Sequence, residues 1–202
     1  AVGDVALAGS ETILMDLEPL GATNHNGGAI HFGKDGKLYV AVGENAVPAN
    51  AQTLSNRLGK ILRINADGTI PADNPFYTTA TGDNRSIWAL GLRNPYTFAF
   101  EPLYGGMFIN DVGQNTFEEI NQGVAGSNYG WPSTEGPTTN PEFRSPSYFY
   151  GHASGCAISG GAFHDMSRAQ FPILYWGSYF FADLCVCSSQ GNQVGNLQFA
   201  RR

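Results

Sequence analysis

Apolar and polar residues alternate along this chain in short runs, and no stretch keeps a 3.6-residue apolar period long enough for a packed helix. The runs are rich in aliphatic and aromatic side chains and are bounded by glycine turns, which predicts short strands in an all-β fold. Comparing the chain with itself exposes a repeat. A glycine turn, an aromatic-aliphatic strand and an acid recur three times: Gly36-Lys37-Leu38-Tyr39-Val40 leading to Glu44, Gly105-Gly106-Met107-Phe108-Ile109 leading to Asp111, and Gly177-Ser178-Tyr179-Phe180-Phe181 leading to Asp183. Leu38, Met107 and Tyr179 are then equivalent, 69 and 72 residues apart. Another apolar strand precedes each copy, at 29–32, 96–100 and 158–163. Consecutive antiparallel strands at a long fixed period are the signature of a β-propeller. Residues 1–202 are therefore expected to form a partial propeller domain of about three blades, whereas closed rings have about 4–8, so further blades are expected to complete it.

The remaining segments fill in this outline. Thr12 to Leu17 predicts a strand before Pro19 and Gly21, and Arg57 to Asn65 predicts another with its basic side chains outward. Arg93 and Asn94 stand just before Pro95, which forces Asn94 into extended geometry and aims both side chains from the mouth of the next strand. Asp111 to Asn121 gathers oxygen donors around Gly113; this is either a hard-cation site without EF-hand spacing or a solvated acidic loop. Tyr129 and Trp131 sit among glycines as a packing wall would, and Thr134 to Ser147 reads as an excursion loop. His152 and His164 are assigned no role.

The stretch with the clearest chemical content is Asn24-His25-Asn26-Gly27-Gly28, a glycine-rich loop carrying an imidazole. It runs into a strand, turns at Asp35-Gly36 and returns toward Glu44, so a base and an acid are aimed at one end of a sheet. A net charge of -6 with only 14% charged residues argues against a nucleic-acid partner, which needs a basic patch. No apolar run is long enough to span a membrane, and no leader is visible at Ala1, so an exported form is expected to have shed it. The three cysteines lack zinc-ribbon spacing; a disulfide from Cys156 to Cys185 or Cys187 would point to an oxidising compartment, periplasmic or extracellular.

Seven motifs, in order, carry a resemblance to the soluble glucose and aldose sugar dehydrogenases, the glucose/sorbosone dehydrogenases. They are Asn24-His25-Asn26-Gly27-Gly28, Asp35-Gly36-Lys37-Leu38-Tyr39, Gly59-Lys60-Ile61-Leu62-Arg63-Ile64, Ile70-Pro71-Ala72-Asp73-Asn74-Pro75, Gly91-Leu92-Arg93-Asn94-Pro95, Asp111-Val112-Gly113 with Glu118-Glu119-Ile120-Asn121, and Asn128-Tyr129-Gly130-Trp131-Pro132. The family match runs over 24–183 and implies a six-bladed β-propeller that uses pyrroloquinoline quinone (PQQ) and calcium to oxidise aldose sugars to lactones. By resemblance, His25 is the general base, with Glu44 as its acidic partner where the family usually has aspartate. Arg93 and Asn94 are cofactor contacts, and position 96 is Tyr where some relatives carry glutamine. The carbonyls of Gly113 and Gln114 are ligands of the cofactor's calcium, while Glu119 and the carbonyl of Tyr129 match a second calcium site. The electron acceptor is not specified. Two rival readings are a propeller that binds a protein partner without catalysis and a truncated fragment without activity of its own.

Overall fold

The computed structural model describes residues 3–165 and 171–185, and the backbone alone of 194–200. Eleven strands form three antiparallel sheets among the described residues. The first holds β1 (Ile30–Phe32), β2 (Leu38–Val42), β3 (Lys60–Ile64) and β4 (Ile87–Leu90), paired in that order. The second repeats the meander with β5 (Pro95–Phe100), β6 (Met107–Asp111), β7 (Phe117–Gly123) and β8 (Tyr148–Gly151). The third contains β9 (Ile158–Phe163), β10 (Tyr179–Cys185) and β11 (Val194–Ala200). The three glycine-turn copies are β2, β6 and β10, the second strand of each sheet, and the strands expected before them are β1, β5 and β9. These are three blades of a β-propeller.

Adjacent blades adhere through apolar faces. Tyr39, Ala41 and Ile61 of the first blade pack on Phe98, Met107 and Ile109 of the second. Ile120 and Tyr150 of the second pack on Ile158, Tyr179 and Phe181 of the third. A polar clasp crosses this second seam: Asn110 Nδ2 donates to the Gly160 carbonyl at 2.9 Å, and the Tyr179 hydroxyl donates to Asn110 Oδ1 at 3.0 Å. A fully buried amide with both ends satisfied fixes the register of two faces that hydrophobic contact alone would let slide.

Three sequence expectations change here. Thr12 to Leu17 forms no strand. Met15 lies instead on Val42, Leu62 and Ile87, side chains from three different strands, so the segment crosses the face of the first blade and meets no free ladder edge. The basic residues of β3 do not point outward: the strand is buried at all five positions. Arg63 donates to Asp35 Oδ2, Asp73 Oδ1 and Asn74 Oδ1, each at 2.9 Å, while Lys60 turns into the interior. Both faces of β3 are covered, so period-two alternation could not tell inside from outside. Finally, the three acids are not equivalent. Asp111 and Asp183 are both the fifth residues of their strands, β6 and β10, but the fifth residue of β2 is Val42, and Glu44 lies two residues further on.

Cys156 and Cys185 form the disulfide, with Cα atoms 5.4 Å apart; Cys187, the other partner considered, lies outside the described residues. The bond ties the entry of β9 to the exit of β10. Closing a loop of this length is worth roughly 3–4 kcal/mol in the chain-entropy account.

Candidate active site

The entries of β1, β5 and β9 and the exits of β2, β6 and β10 share one end of the blades, and backbone hydrogen bonds lace these loops together. The Asp111 carboxylate receives the N–H groups of Arg93 at 3.0 Å and Asn94 at 2.7 Å. In the third blade Asp183 does the same for Cys156 at 3.1 Å and Ala157 at 3.2 Å, and also accepts the Tyr150 hydroxyl at 2.6 Å. Each carboxylate is thus an anchor that shapes the loop entering its own blade.

The first blade, with Val42 at that position, uses a different device. His25 sits at φ 55°, in the left-handed region, and Asn45 follows Glu44 at φ 58°. Such backbone persists in non-glycine residues only where surroundings over-determine it, and here Asn45 does so. Its N–H donates to the His25 carbonyl at 3.0 Å. Its side chain accepts from the Gly21 N–H at 2.7 Å and donates to Asn26 Oδ1 at 2.9 Å. Asparagine tolerates this conformation, which is the sequence signal for its role that was passed over. Gly43 is required beside it, because a Cβ there would run into the His25 carbonyl.

On this scaffold the His25 Nδ1 meets Glu44 Oε1. The carboxylate is buried and the imidazole retains 15% side-chain exposure, so the pair presents the other ring nitrogen, Nε2, to the outside. Glu44 is joined to the second blade directly, its N–H donating to the Arg93 carbonyl at 2.8 Å. Asn94 Oδ1 accepts the Gly27 N–H at 3.1 Å. His25, Glu44, Arg93 and Asn94 are therefore brought together across one blade seam.

The Arg93 guanidinium lies 5.5 Å from the centre of the Trp131 ring, and Nη1 donates to the carbonyls of Val112 at 3.0 Å and Gly113 at 2.6 Å. Its Nε, like Glu44 Oε2, is buried without a hydrogen-bond partner. Trp131 is set by Gln52, whose Nε2 donates to the Trp131 carbonyl at 2.6 Å and to Asn128 Oδ1 at 3.0 Å. A cleft of about 200 Å³ opens beside Asn94, between Tyr96 and Val112 on one side and Ile158 and Leu184 on the other. A second cleft of similar size, under the amino-terminal segment at Ile13 and Arg57, contains none of these residues.

The acids of the 111–121 stretch, Asp111, Glu118 and Glu119, are buried and do not form the solvated loop, one of the two forms its composition allows. Its carboxylates turn inward onto amides. Glu118, fully buried, accepts the Ile158 N–H at 2.9 Å and pairs with His152 Nε2 at 2.9 Å. Glu119 accepts from the Gly136 N–H at 2.5 Å and Asn121 Nδ2 at 2.9 Å. Glu135, from the loop at 134–147, caps the turn instead, with Oε1 accepting the N–H groups of Gln114 at 2.8 Å, Asn115 at 3.0 Å, Thr116 at 2.9 Å and Phe117 at 3.2 Å. Among the described residues no group of three or more His, Cys, Asp or Glu side chains is arranged to hold a metal ion.

Burial, joined by the charge of Glu119, pushes Asp111 up to about 8, against the N–H groups of Arg93 and Asn94 that favour its anion. Burial likewise pushes Glu119 up to about 7. Both folded values lie above the unfolded ones, so the folded chain holds more protons between the two and its stability falls as pH rises. Urea unfolding is expected to show lower stability at pH 8.5 than at pH 5, and Asp111→Asn is expected to flatten that slope.

These donors bear differently on the two groups the resemblance implies. An anionic, planar quinone suits the site: Arg93 offers an unpartnered buried N–H on a guanidinium braced by an indole, with Asn94 adjacent. For calcium, two of the implied ligands are engaged by protein donors: the Gly113 carbonyl accepts the Arg93 guanidinium, and the Glu119 carboxylate accepts the Gly136 N–H and Asn121 Nδ2. At the other two, the Gln114 N–H donates to Glu135 at 2.8 Å and the Tyr129 hydroxyl donates to the Gln122 carbonyl at 2.7 Å, contacts that use other atoms than the backbone carbonyls the resemblance names.

The family model for Glucose / Sorbosone dehydrogenase matches residues 2–189. The chain is 33% identical over 199 residues to aldose sugar dehydrogenase YliI of Escherichia coli, a match that covers 91% of this chain and 53% of that protein. The apo form of the soluble aldose sugar dehydrogenase from the same organism superposes with a TM-score of 0.73 at 32% identity, covering 85% of this chain and 52% of that one. The PQQ-bound aldose sugar dehydrogenase of Streptomyces coelicolor gives a TM-score of 0.66 at 30% identity, covering 79% and 42%. The class of protein these comparisons define is a sugar dehydrogenase propeller. The chain belongs to the glucose/sorbosone dehydrogenase family, and it spans about half the length of the relatives it matches.

Proposed function

We propose that the protein carrying this chain oxidises the anomeric hydroxyl of aldose sugars to the lactone with PQQ as cofactor. The observation that carries the reading is the seam holding His25, Glu44, Arg93 and Asn94 at one blade end, in a fold shared with a PQQ-bound sugar dehydrogenase. Bound PQQ supplies a two-electron acceptor for the hydride that leaves the anomeric carbon. His25 Nε2 takes the hydroxyl proton, and Glu44 on Nδ1 fixes the tautomer and steadies the imidazolium that results. Arg93, held by Val112 and Gly113 and backed by Trp131, offers fixed positive charge where a quinone gains negative charge. Asn94 holds the loop of His25 at the distance the blades set.

No step is assigned to calcium, whose implied ligand, the Gly113 carbonyl, accepts the Arg93 guanidinium here. The disulfide supports an oxidising compartment, such as the periplasm or the exterior. Further blades, from the same protein or a partner chain, close the ring; Ile30 and Phe32 of β1 are 56% and 60% exposed on the flank such a blade would cover.

The test is reconstitution of the intact protein with PQQ, with and without calcium, followed by dye reduction under a panel of aldoses. Sugar-dependent turnover is expected. A quinone absorbance band with no turnover on any aldose or alcohol overturns the substrate assignment, and failure to acquire the band leaves the non-catalytic binding propeller.

A further inference from the structure

Lys60 is the first residue of β3, and its side chain is wholly buried. Its ammonium group donates to three backbone carbonyls, Asn50 and Leu58 at 2.7 Å and Ala51 at 3.1 Å. The charged group acting on it among the described residues is Glu18, and that carboxylate is itself bound to Arg57 at 3.2 Å. A cation without a close counter-ion in a core is costly, so what it holds must be set against that cost. Burial pushes Lys60 down to about 7, while three carbonyls that can only accept hydrogen bonds call for the three donors of the ammonium form.

What it holds is the short 3-10 turn Pro48–Gln52, and that turn touches both halves of the candidate site. On one side Asn50 Nδ2 donates to the Glu44 carbonyl at 3.0 Å, and the Val47 N–H donates to the same oxygen at 3.3 Å. On the other side the Gly91 N–H donates to the Ala51 carbonyl at 2.9 Å, and the Leu92 N–H donates to the Gly59 carbonyl at 3.3 Å, in the two residues that lead into Arg93. Gln52, at the end of the turn, carries Trp131 beneath the Arg93 guanidinium.

We propose that Lys60 is a positioning residue for both Glu44 and Arg93: its ammonium does inside the first blade what a structural metal ion does elsewhere, drawing three carbonyls onto one cation and fixing the turn that braces the site. The significance of Glu44 and Arg93 rests on the functional reading above, but the organising role of Lys60 can be measured without it. Removing the cation should loosen the turn, and with it the loops on either side, while the other seams stay closed.

The experiment compares amide hydrogen exchange in the intact protein with that of Lys60→Met, alongside PQQ titration by fluorescence. Exchange is expected to speed at least tenfold at Glu44, Asn45, Val47, Gly91 and Leu92, with Ile109 and Ile120 unchanged, and PQQ affinity to fall at least tenfold. Asn50→Ala, which keeps the cation and cuts one brace, should speed exchange at Glu44 and Val47 but not at Gly91 or Leu92; it also serves if Lys60→Met fails to fold. Unchanged exchange at the five amides, or a uniform rise across all three sheets, overturns the proposal. If the parent protein binds no PQQ, the cofactor reading fails while the exchange comparison still decides the role of Lys60.

Discussion

His25→Ala in the intact, PQQ-loaded protein is expected to lower sugar-driven turnover by about 10² to 10⁴, the range that a positioned general base contributes. PQQ affinity should stay within a factor of about two, because the imidazole's hydrogen bond is to Glu44, while the cofactor contacts are assigned to Arg93 and Asn94. The backbone at 25 is left-handed, and alanine bears that conformation no better than histidine does, so urea unfolding is the necessary control. Glu44→Gln separates base strength from position: the amide keeps a hydrogen bond to Nδ1 but carries no charge to steady the imidazolium. Its loss in kcat should be smaller than that of His25→Ala and should appear with little change in KM. Turnover of His25→Ala close to that of the parent would remove His25 from the chemistry, whatever the fate of the fold.

The blades and the site were legible to different depths. Glycine turns before β2, β6 and β10 announced the repeat, because a turn needing positive φ followed by an apolar strand is a purely local pattern. The proximity of His25, Glu44, Arg93 and Asn94 came from the family resemblance; residue types alone would have left four loop residues far apart in the chain. The inward turn of Lys60 and Arg63 was hidden because β3 is covered on both faces. The acids at 111, 118 and 119 were hidden for a related reason: a carboxylate in a glycine-bounded turn reads the same whether it faces water or a row of buried amides. Which it does is decided by the neighbouring blade, as when Glu118 reaches the Ile158 N–H of β9.

The second and third blades direct the acid at the fifth position of their second strand, Asp111 and Asp183, to the amides of their own entry loops, and the first does not. Val42 occupies that place, so the loop at 24–28 is held instead by Asn45 and Gly43, and an acid two residues later is left to pair with the imidazole. The blade that gives up its anchor is the one that gains a base. The repeat supplies geometry, and the departure from it supplies chemistry.

Arg93→Met is the second large effect expected, and it falls on cofactor affinity rather than on proton transfer. Methionine keeps much of the apolar stem against Trp131 but removes Nε, the buried donor without a partner, and Nη1, the donor to Val112 and Gly113. A hydrogen bond from a charged group to an anionic ligand is worth about 1.5–3 kcal/mol, so PQQ affinity should fall by roughly 10- to 150-fold. The substitution also removes a positive charge from beside the Gly113 carbonyl, so Arg93→Met should bind calcium more tightly than the parent when no quinone is present, as read by calorimetry. Arg93→Lys should recover little of the affinity, since an ammonium cannot lie flat on the indole and reach two carbonyls while offering a further donor. Equal PQQ affinity in the parent and Arg93→Met would exclude the guanidinium as a cofactor contact and leave it the structural task of tying the exit of β6 to the entry of β5.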